Sequence, residues 1–227
     1  MAMVLDQVVP FGRSMDEYIK MFSLTDADLN KKIIGIGDGP ASFNAEMTRQ
    51  DKSVVSIDPL YQFSADEILQ RFNAVVDTII NQVKATPQDW VWTYHQSPDD
   101  LQRNRVKVIE EFLGDYNHSK NSDRYITGEL PQLSYQNQEF DLALCSHLLF
   151  LYSDHLDYEF HLKSIGEMLR IAKEIRIFPL LTLMLKPSQH LDEIVKYYTA
   201  KGYMVDITNV EYELQRGGNQ MLKIVKN

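Results

Sequence analysis

Short runs of consecutive apolar residues alternate along the chain with longer segments in which apolar residues recur every three or four positions. The short runs are typical of strands buried in a parallel sheet, and the periodic segments are typical of helices that cover such a sheet. The predicted strands lie at 33–36, 53–57, 124–127, 142–146 and 175–178. This alternation predicts an α/β domain with a doubly wound, mostly parallel sheet.

Capping signals mark the starts of several predicted helices. Serine followed three residues later by glutamate is the spacing of a capping box, and it occurs at Ser14 and Ser64. Ser97, followed by proline and two acidic residues, is a third start signal. Gly114 is expected to end that third helix, which would leave His118 in a loop. The predicted helices cover 14–23, 25–30, 41–50, 64–84, 97–113, 162–172 and 188–201.

The end of the chain has a different pattern, because two β-rich runs at 203–214 and 220–226 flank the turn sequence 216–219. This arrangement predicts a C-terminal antiparallel hairpin. With the five earlier strands, it gives a seven-stranded sheet in an α/β fold.

Two segments lie outside this regular alternation. Residues 1–30 are predicted to form N-terminal cap helices ahead of a domain at 31–227. Residues 85–123 look like an insertion, in which Trp90 and Trp92 crowd a short stretch. The insertion could be a substrate-recognition element lined with aromatic side chains, or a satellite helix that covers the edge of the core.

Composition narrows the range of partners. The chain has 227 residues and a net charge of −9, so a nucleic-acid backbone is not an expected partner. Cys145 is the one cysteine, which rules out an internal disulfide and fits a reducing compartment. No apolar run has the length of a membrane span and no secretory signal is evident, so we expect a cytoplasmic protein without a membrane partner.

A glycine turn follows the first predicted strand and is the strongest chemical signal in the sequence. Gly37 and Gly39 would let the backbone approach a ligand closely, and Pro40 suits the first position of the next helix. The second predicted strand ends in Asp58, whose carboxylate could accept hydrogen bonds from ribose hydroxyls. Turn and acid at this spacing predict a nucleoside-binding α/β domain.

The glycine pattern also excludes two common nucleotide motifs. In a G-x-G-x-x-G motif read from Gly35 or Gly37, the third glycine would fall on Pro40 or Ser42. No G-K-[ST] sequence is present for a nucleoside triphosphate. An NAD-dependent oxidoreductase is therefore disfavoured, and the predicted C-terminal hairpin disfavours it further.

The turn at 37–40 resembles the first motif of class I S-adenosylmethionine-dependent methyltransferases. Residues 128–142, with Leu130-Pro131 and Phe140-Asp141 at marker positions, resemble a later segment of the same family. The resemblance covers about 31–227 apart from the insertion, and it implies a Rossmann-like methyltransferase fold with S-adenosyl-L-methionine as cofactor.

The resemblance also implies a set of cofactor-binding residues. In the family, the acid after the second strand binds ribose, the residues after it flank the adenine, and the later acid positions the adenine amino group. N-terminal helices often lie over the cofactor, so Arg13 or Tyr18 could reach its methionine carboxylate; alternatively, Tyr18 is a core residue and Arg13 a solvated surface charge. The implied cofactor-binding residues are Gly37, Asp38, Gly39, Pro40, Asp58, Pro59, Leu60, Glu129, Leu130, Ser146, Arg13 and Tyr18.

Three features depart from the family pattern. Gly35 stands where the family usually has an acid that contacts the methionine part of the cofactor, and Ala41 replaces the third motif glycine. No N-P-P-[YF] motif follows the fourth predicted strand, so methylation of the amino groups that depend on that motif is not supported.

His147 follows the fourth predicted strand, at the sheet edge where ligands bind in open α/β folds. It could act as a general base, or it could be a scaffold histidine or contact the cofactor through its backbone. His155 and His161 match no recognised metal-ligand spacing, so no metal site is expected. The leading hypothesis is a small-molecule methyltransferase. The alternative is a non-catalytic domain that binds S-adenosylmethionine or S-adenosylhomocysteine, and the oligomeric state stays open.

Overall fold

In the computed structural model, which describes residues 3, 5, 8–119 and 122–226, seven strands form one sheet in the order β3-β2-β1-β4-β5-β7-β6. Neighbouring strands from β3 through β5 pair in parallel, whereas β7 pairs antiparallel with both β5 and β6. The predicted fold, including its C-terminal antiparallel hairpin, is therefore confirmed. The strands are β1 (Ile33–Ile36), β2 (Val54–Ile57), β3 (Tyr125–Ile126), β4 (Phe140–Ser146), β5 (Ala172–Phe178), β6 (Met204–Asn209) and β7 (Gln220–Val225).

Helices cover both faces of the sheet, and the alternation of side chains along β1 shows why. Ile33 packs into a cluster with residues of the first four helices, while Ile34 and Ile36 pack on the opposite face with the last two. Apolar residues on both faces of a strand are what a doubly covered parallel sheet requires. The helices are α1 (Met15–Phe22), α2 (Phe43–Thr48), α3 (Ala65–Ala85), α4 (Pro98–Ser119), α5 (Tyr158–Ile171) and α6 (Leu191–Ala200).

The end of helix α4 differs from its prediction. Helix α4 does not end at Gly114 but continues to Ser119, so His118 lies in the helix and not in a loop. Tyr116 is 1% exposed and its hydroxyl donates hydrogen bonds to the Tyr61 and Phe63 carbonyl oxygens. These tertiary contacts outweigh the cost of about 1 kcal/mol for a glycine inside a helix.

Pro40 also lies outside the helix that it was expected to begin. Helix α2 starts at Phe43 with Ser42 as its N-cap residue, so Pro40 belongs to the preceding turn. The turn is longer than predicted because Ser42 donates its backbone N–H to the Arg13 carbonyl oxygen, 3.1 Å away. The N-terminal segment is thereby fixed against the turn.

Residues of the predicted insertion pack onto the core. Helix α4 packs against α2 and α3, and Trp90 is 3% exposed within the same apolar cluster as these helices. The Val91 N–H donates to the Leu214 carbonyl oxygen at 2.8 Å, which joins this segment to the C-terminal part of the chain. Among the described residues, no helix is both long and apolar enough to span a membrane.

Candidate functional site

The turn after β1 adopts the backbone conformation that its glycines permit. Gly37 and Gly39 have φ angles of 68° and 53°, in the left-handed region that favours glycine. The Gly37 N–H donates to the Ile57 carbonyl oxygen at 2.9 Å, which places the turn beside the end of β2. A Cβ atom on Gly37 would lie 2.6 Å from Cδ2 of Leu148, so a side chain at this position would displace Leu148.

Asp58 follows β2, and its side chain connects the glycine turn to the residues directly after β2. Its Oδ2 atom accepts a hydrogen bond from the Gly39 N–H at 2.8 Å, and its Oδ1 atom accepts one from the Leu60 N–H at 2.7 Å. Burial raises the pKa of the Asp58 carboxyl, and the neighbouring Glu129 acts in the same direction. Each carboxylate oxygen has a second lone pair, so Asp58 can accept further hydrogen bonds from a ligand.

A cleft of about 610 Å³, here called the main cleft, opens where β1, β2 and β4 end. This volume lies within the range of about 300–1,000 Å³ that is typical of small-molecule sites. All thirteen residues that the sequence indicated as cofactor-binding or catalytic candidates line it. They are Arg13, Tyr18, Gly37, Asp38, Gly39, Pro40, Asp58, Pro59, Leu60, Glu129, Leu130, Ser146 and His147.

Asp38 is buried in the wall of the main cleft. Its two carboxylate oxygens accept hydrogen bonds of 2.6 Å from the hydroxyls of Tyr18 and Ser56. Its carboxylate also fills the space beside Gly35, where an added Cβ would lie only 2.0 Å from Oδ2 of Asp38. Glycine at position 35 thus makes room for the carboxylate of the residue three positions later.

Replacing Gly35 with alanine should therefore displace Asp38 from its hydrogen bonds with Tyr18 and Ser56. We expect the free energy of unfolding to fall by about 1–3 kcal/mol, as for other overpacked cores. Urea denaturation measures it. Gly114→Ala is the matched control, since nothing lies within 4 Å of its added Cβ, and it should gain up to about 1 kcal/mol. Equal stability of Gly35→Ala and the wild type would contradict this close packing.

Burial raises the pKa of Asp38 to about 6, against the opposing effect of the hydroxyls of Ser56 and Tyr18. The folded chain therefore holds a proton between about pH 4 and pH 6 that the unfolded chain has released, and the stability from this site is lost as pH rises through that window. In urea denaturation from about pH 4 to pH 7, the free energy of unfolding of the wild type should fall by up to roughly 3 kcal/mol relative to that of Asp38→Asn. A difference that is constant with pH would contradict the raised pKa.

Arg13 is a buried residue, so the alternative that it is a solvated surface charge is wrong. The residue is 8% exposed, and its Nη1 atom donates to the carbonyl oxygens of Phe11 and Gly12. Its Nε atom is buried without a hydrogen-bond partner. Tyr18 combines the two predicted possibilities, since it is 1% exposed, stacks on Phe43 and lines the main cleft.

His147 lies at the boundary between the main cleft and a smaller pocket. Its backbone N–H donates to the Phe178 carbonyl oxygen at 2.7 Å, and its Nδ1 atom lies 2.9 Å from the Ser146 hydroxyl. Burial, with the charges of Arg13 and Arg105, holds the pKa of His147 well below its ordinary value. The imidazole is neutral at physiological pH, and the cost of protonating it makes it a weak base. Its proposed role as a general base stays a prediction.

The smaller pocket, here called the inner pocket, has a volume of about 80 Å³. It shares Val9, Phe11, Arg13 and His147 with the main cleft, so the two spaces adjoin. Its other walls are mostly apolar: Met3, Leu5, Ile79, Val83, Trp90, Leu101, Leu151, Tyr152, Phe178, Leu183, Tyr212, Leu214, Gln215 and Gly218.

The sequence indicated Arg13 but not the residues before it in the segment 8–13, all of which line the main cleft. Its placement depends on Gly12, because a Cβ there would lie 2.1 Å from the Pro40 carbonyl oxygen. The segment has no regular secondary structure, so it leaves no periodic signal in the sequence. Within residues 8–119 and 122–226, no group of three or more His, Cys, Asp or Glu side chains is placed to hold a metal ion.

Comparison with known proteins found similar solved structures and a similar sequence. Magnesium protoporphyrin IX methyltransferase from Synechocystis PCC 6803, crystallised with S-adenosylmethionine, aligns with a TM-score of 0.48 at 14% identity, over 94% of this chain and 78% of that one. A methyltransferase from Aquifex aeolicus, described as dependent on S-adenosylmethionine, aligns with a TM-score of 0.44 at 13% identity, over 92% and 87% of the two chains. No family model matches the sequence.

A sequence relative resembles the chain over nearly its full length. The uncharacterized protein MJ0045 of Methanocaldococcus jannaschii is 33% identical over 221 residues, which cover 97% of each chain. Identity at this level over the whole length shows common ancestry, and the chain therefore belongs to the same protein family as MJ0045.

Proposed function

We propose that the chain is an S-adenosylmethionine-dependent methyltransferase that acts on a small molecule. The observation that carries this proposal is the contact between the Gly39 N–H and the Asp58 carboxylate at the mouth of the main cleft. This hydrogen bond joins the glycine turn to an acidic residue that is placed to bind ribose hydroxyls. Both lie at the carboxyl ends of adjacent parallel strands, where ligands of open α/β folds bind.

The residues of the main cleft suit the parts of this cofactor. Asp58 has lone pairs left for the ribose hydroxyls, and Leu60 beside it offers an apolar surface for the adenine. Glu129 lies close enough to influence the Asp58 pKa, so both acids face the nucleoside end. Tyr18 lines the same cleft and donates its hydroxyl to Asp38 of the glycine turn, so the methionine part would lie beside it.

The cofactor would supply a methyl group already activated on a positively charged sulfur. The chain's own contribution is then mainly to hold the acceptor in line with that methyl group and to exclude water. The segment 8–13 and the apolar side chains of the inner pocket provide such an enclosure. His147 would act as a base only for an acceptor whose proton leaves easily, because its own protonation is costly.

A transfer assay separates the enzyme from a non-catalytic binding domain. The purified chain is incubated with S-adenosylmethionine labelled in its methyl group and with a mixture of small metabolites, and labelled products are separated by chromatography. The proposal predicts a labelled small molecule and release of S-adenosylhomocysteine. Tight binding of the cofactor with no labelled product would favour the binding domain instead.

A further inference from the structure

The inner pocket has the lining of a site for a small apolar molecule with one negative charge. Phe11, Trp90 and Phe178 are among its apolar walls, and Arg13 is its one residue with a full charge among the lining residues that the structure describes. None of those described lining residues is acidic. The volume of about 80 Å³ is roughly half that of a cavity known to hold benzene, so the pocket suits a short ligand or the end of a longer one.

The charge of Arg13 is only partly balanced by the protein. Glu17 is the acid beside it, but both Glu17 oxygens already accept hydrogen bonds from the Arg105 guanidinium, at 2.7 and 2.5 Å. The Tyr212 hydroxyl donates to the same carboxylate at 2.9 Å. The Arg13 Nε atom lies 3.9 Å from Glu17, which is a long ion-pair contact beyond hydrogen-bond distance, and it has no hydrogen-bond partner. Two buried guanidinium groups thus share one carboxylate.

The other groups that face this cluster do not supply the missing negative charge. Burial raises the pKa of the Tyr18 and Tyr212 hydroxyls, so both stay neutral at neutral pH. Burial lowers the pKa of the His95 and His147 imidazoles, which carry no negative charge in either form. Burial and Arg105 lower the pKa of Arg13 only to about 10, so it is protonated at neutral pH. A buried charge without a counter-ion is costly, and an anionic ligand would remove that cost.

We propose that the inner pocket binds the methyl acceptor, and that this acceptor is a small, mainly apolar carboxylic acid whose carboxylate is held by Arg13. One carboxylate oxygen would take the methyl group, so that an O–C bond forms as the S–C bond of the cofactor breaks. The products would be a neutral methyl ester and S-adenosylhomocysteine, and no proton has to be removed. This inference rests on the proposed function, because it assumes that the main cleft holds the cofactor. The cofactor's own carboxylate could also reach Arg13, since Arg13 lines both spaces. We assign Arg13 to the acceptor's carboxylate and not to the cofactor's, because the apolar walls of the inner pocket surround Arg13. These walls suit the apolar remainder of such an acid.

Calorimetry on the full chain saturated with S-adenosylhomocysteine tests the proposal. Propionate, isovalerate and benzoate are each titrated beside the corresponding amide, which has nearly the same shape without the charge. At least one acid should bind about ten- to a hundred-fold more tightly than its amide, as expected for hydrogen bonds to a charged group. Arg13→Gln should abolish this preference and keep the affinity for S-adenosylhomocysteine. Arg71→Gln, the same change at a residue of the main cleft only, should keep the preference.

Each other outcome overturns the inference in a recognisable way. If no acid is preferred to its amide, the inner pocket is not a carboxylate site. If Arg13→Gln weakens S-adenosylhomocysteine binding and leaves the preference for the acid intact, Arg13 serves the cofactor and not the acceptor. If the wild type does not bind S-adenosylhomocysteine at all, the proposed function itself fails. Leu183→Phe, which narrows the inner pocket from another wall, should weaken acid binding without affecting the cofactor.

Discussion

Replacing Glu17 with glutamine should lower the free energy of unfolding by about 3–5 kcal/mol, the usual cost of removing one partner from a buried ion pair. Glu17 is fully buried, and it both receives two hydrogen bonds from Arg105 and closes the capping box of α1 with Ser14. The glutamine variant would leave two buried guanidinium groups without a counter-charge. Urea denaturation at neutral pH measures the loss.

Asp16→Asn is the matched control, because Asp16 neighbours Glu17 in α1 but pairs with Lys20 near the surface. Such exposed pairs contribute at most about 1 kcal/mol. The Arg105 guanidinium holds the pKa of Glu17 well below its ordinary value, so the stability from this pair should disappear as pH falls through that lowered pKa. Equal stability of Glu17→Gln and Asp16→Asn would show that the buried pair does not hold α1 in place.

Replacing Asp58 with alanine should weaken S-adenosylmethionine binding by about a hundred-fold or more. Two hydrogen bonds from ribose hydroxyls to an ionised group would be lost, each contributing about 1.5–3 kcal/mol. The variant also loses the acceptor that fixes the Gly39 N–H, so the glycine turn would be less well ordered. Isothermal titration calorimetry measures the affinity, and circular dichroism checks that the variant is folded.

Asp26→Ala is the control for Asp58, since it removes an exposed carboxylate from the N-terminal part of the chain, outside the main cleft. It should bind the cofactor as the wild type does. An Asp58→Ala variant that keeps wild-type affinity would exclude Asp58 as the ribose-binding acid, even if the cofactor binds elsewhere in the cleft.

The fold could be predicted because its signals are local in the sequence. The capping boxes at Ser14 and Ser64 are both formed in the structure, and the apolar runs coincide with the parallel strands. Gly114 shows where such reasoning fails. Its local preference ends a helix, but the burial of Tyr116 against the segment after β2 continues it. The end of α4 therefore depends on a tertiary contact that the sequence around Gly114 does not indicate.

The same distinction applies to the site. The turn at Gly37 and the acid at Asp58 could be predicted because they directly follow strands whose ends must meet. The close packing of the Asp38 carboxylate beside Gly35 could not be predicted, because a glycine in a strand does not reveal which side chain fills the space next to it. The pairing of Glu17 with Arg105 joins residues 88 positions apart, so neither local pattern indicates it.

Calorimetric titration of S-adenosylmethionine into the wild-type chain, with NAD as the control ligand, tests the central claim most directly. The account predicts micromolar binding of S-adenosylmethionine at one site per chain, and no binding of NAD. Binding of NAD alone, or of neither ligand, would contradict the assignment of the main cleft to this cofactor.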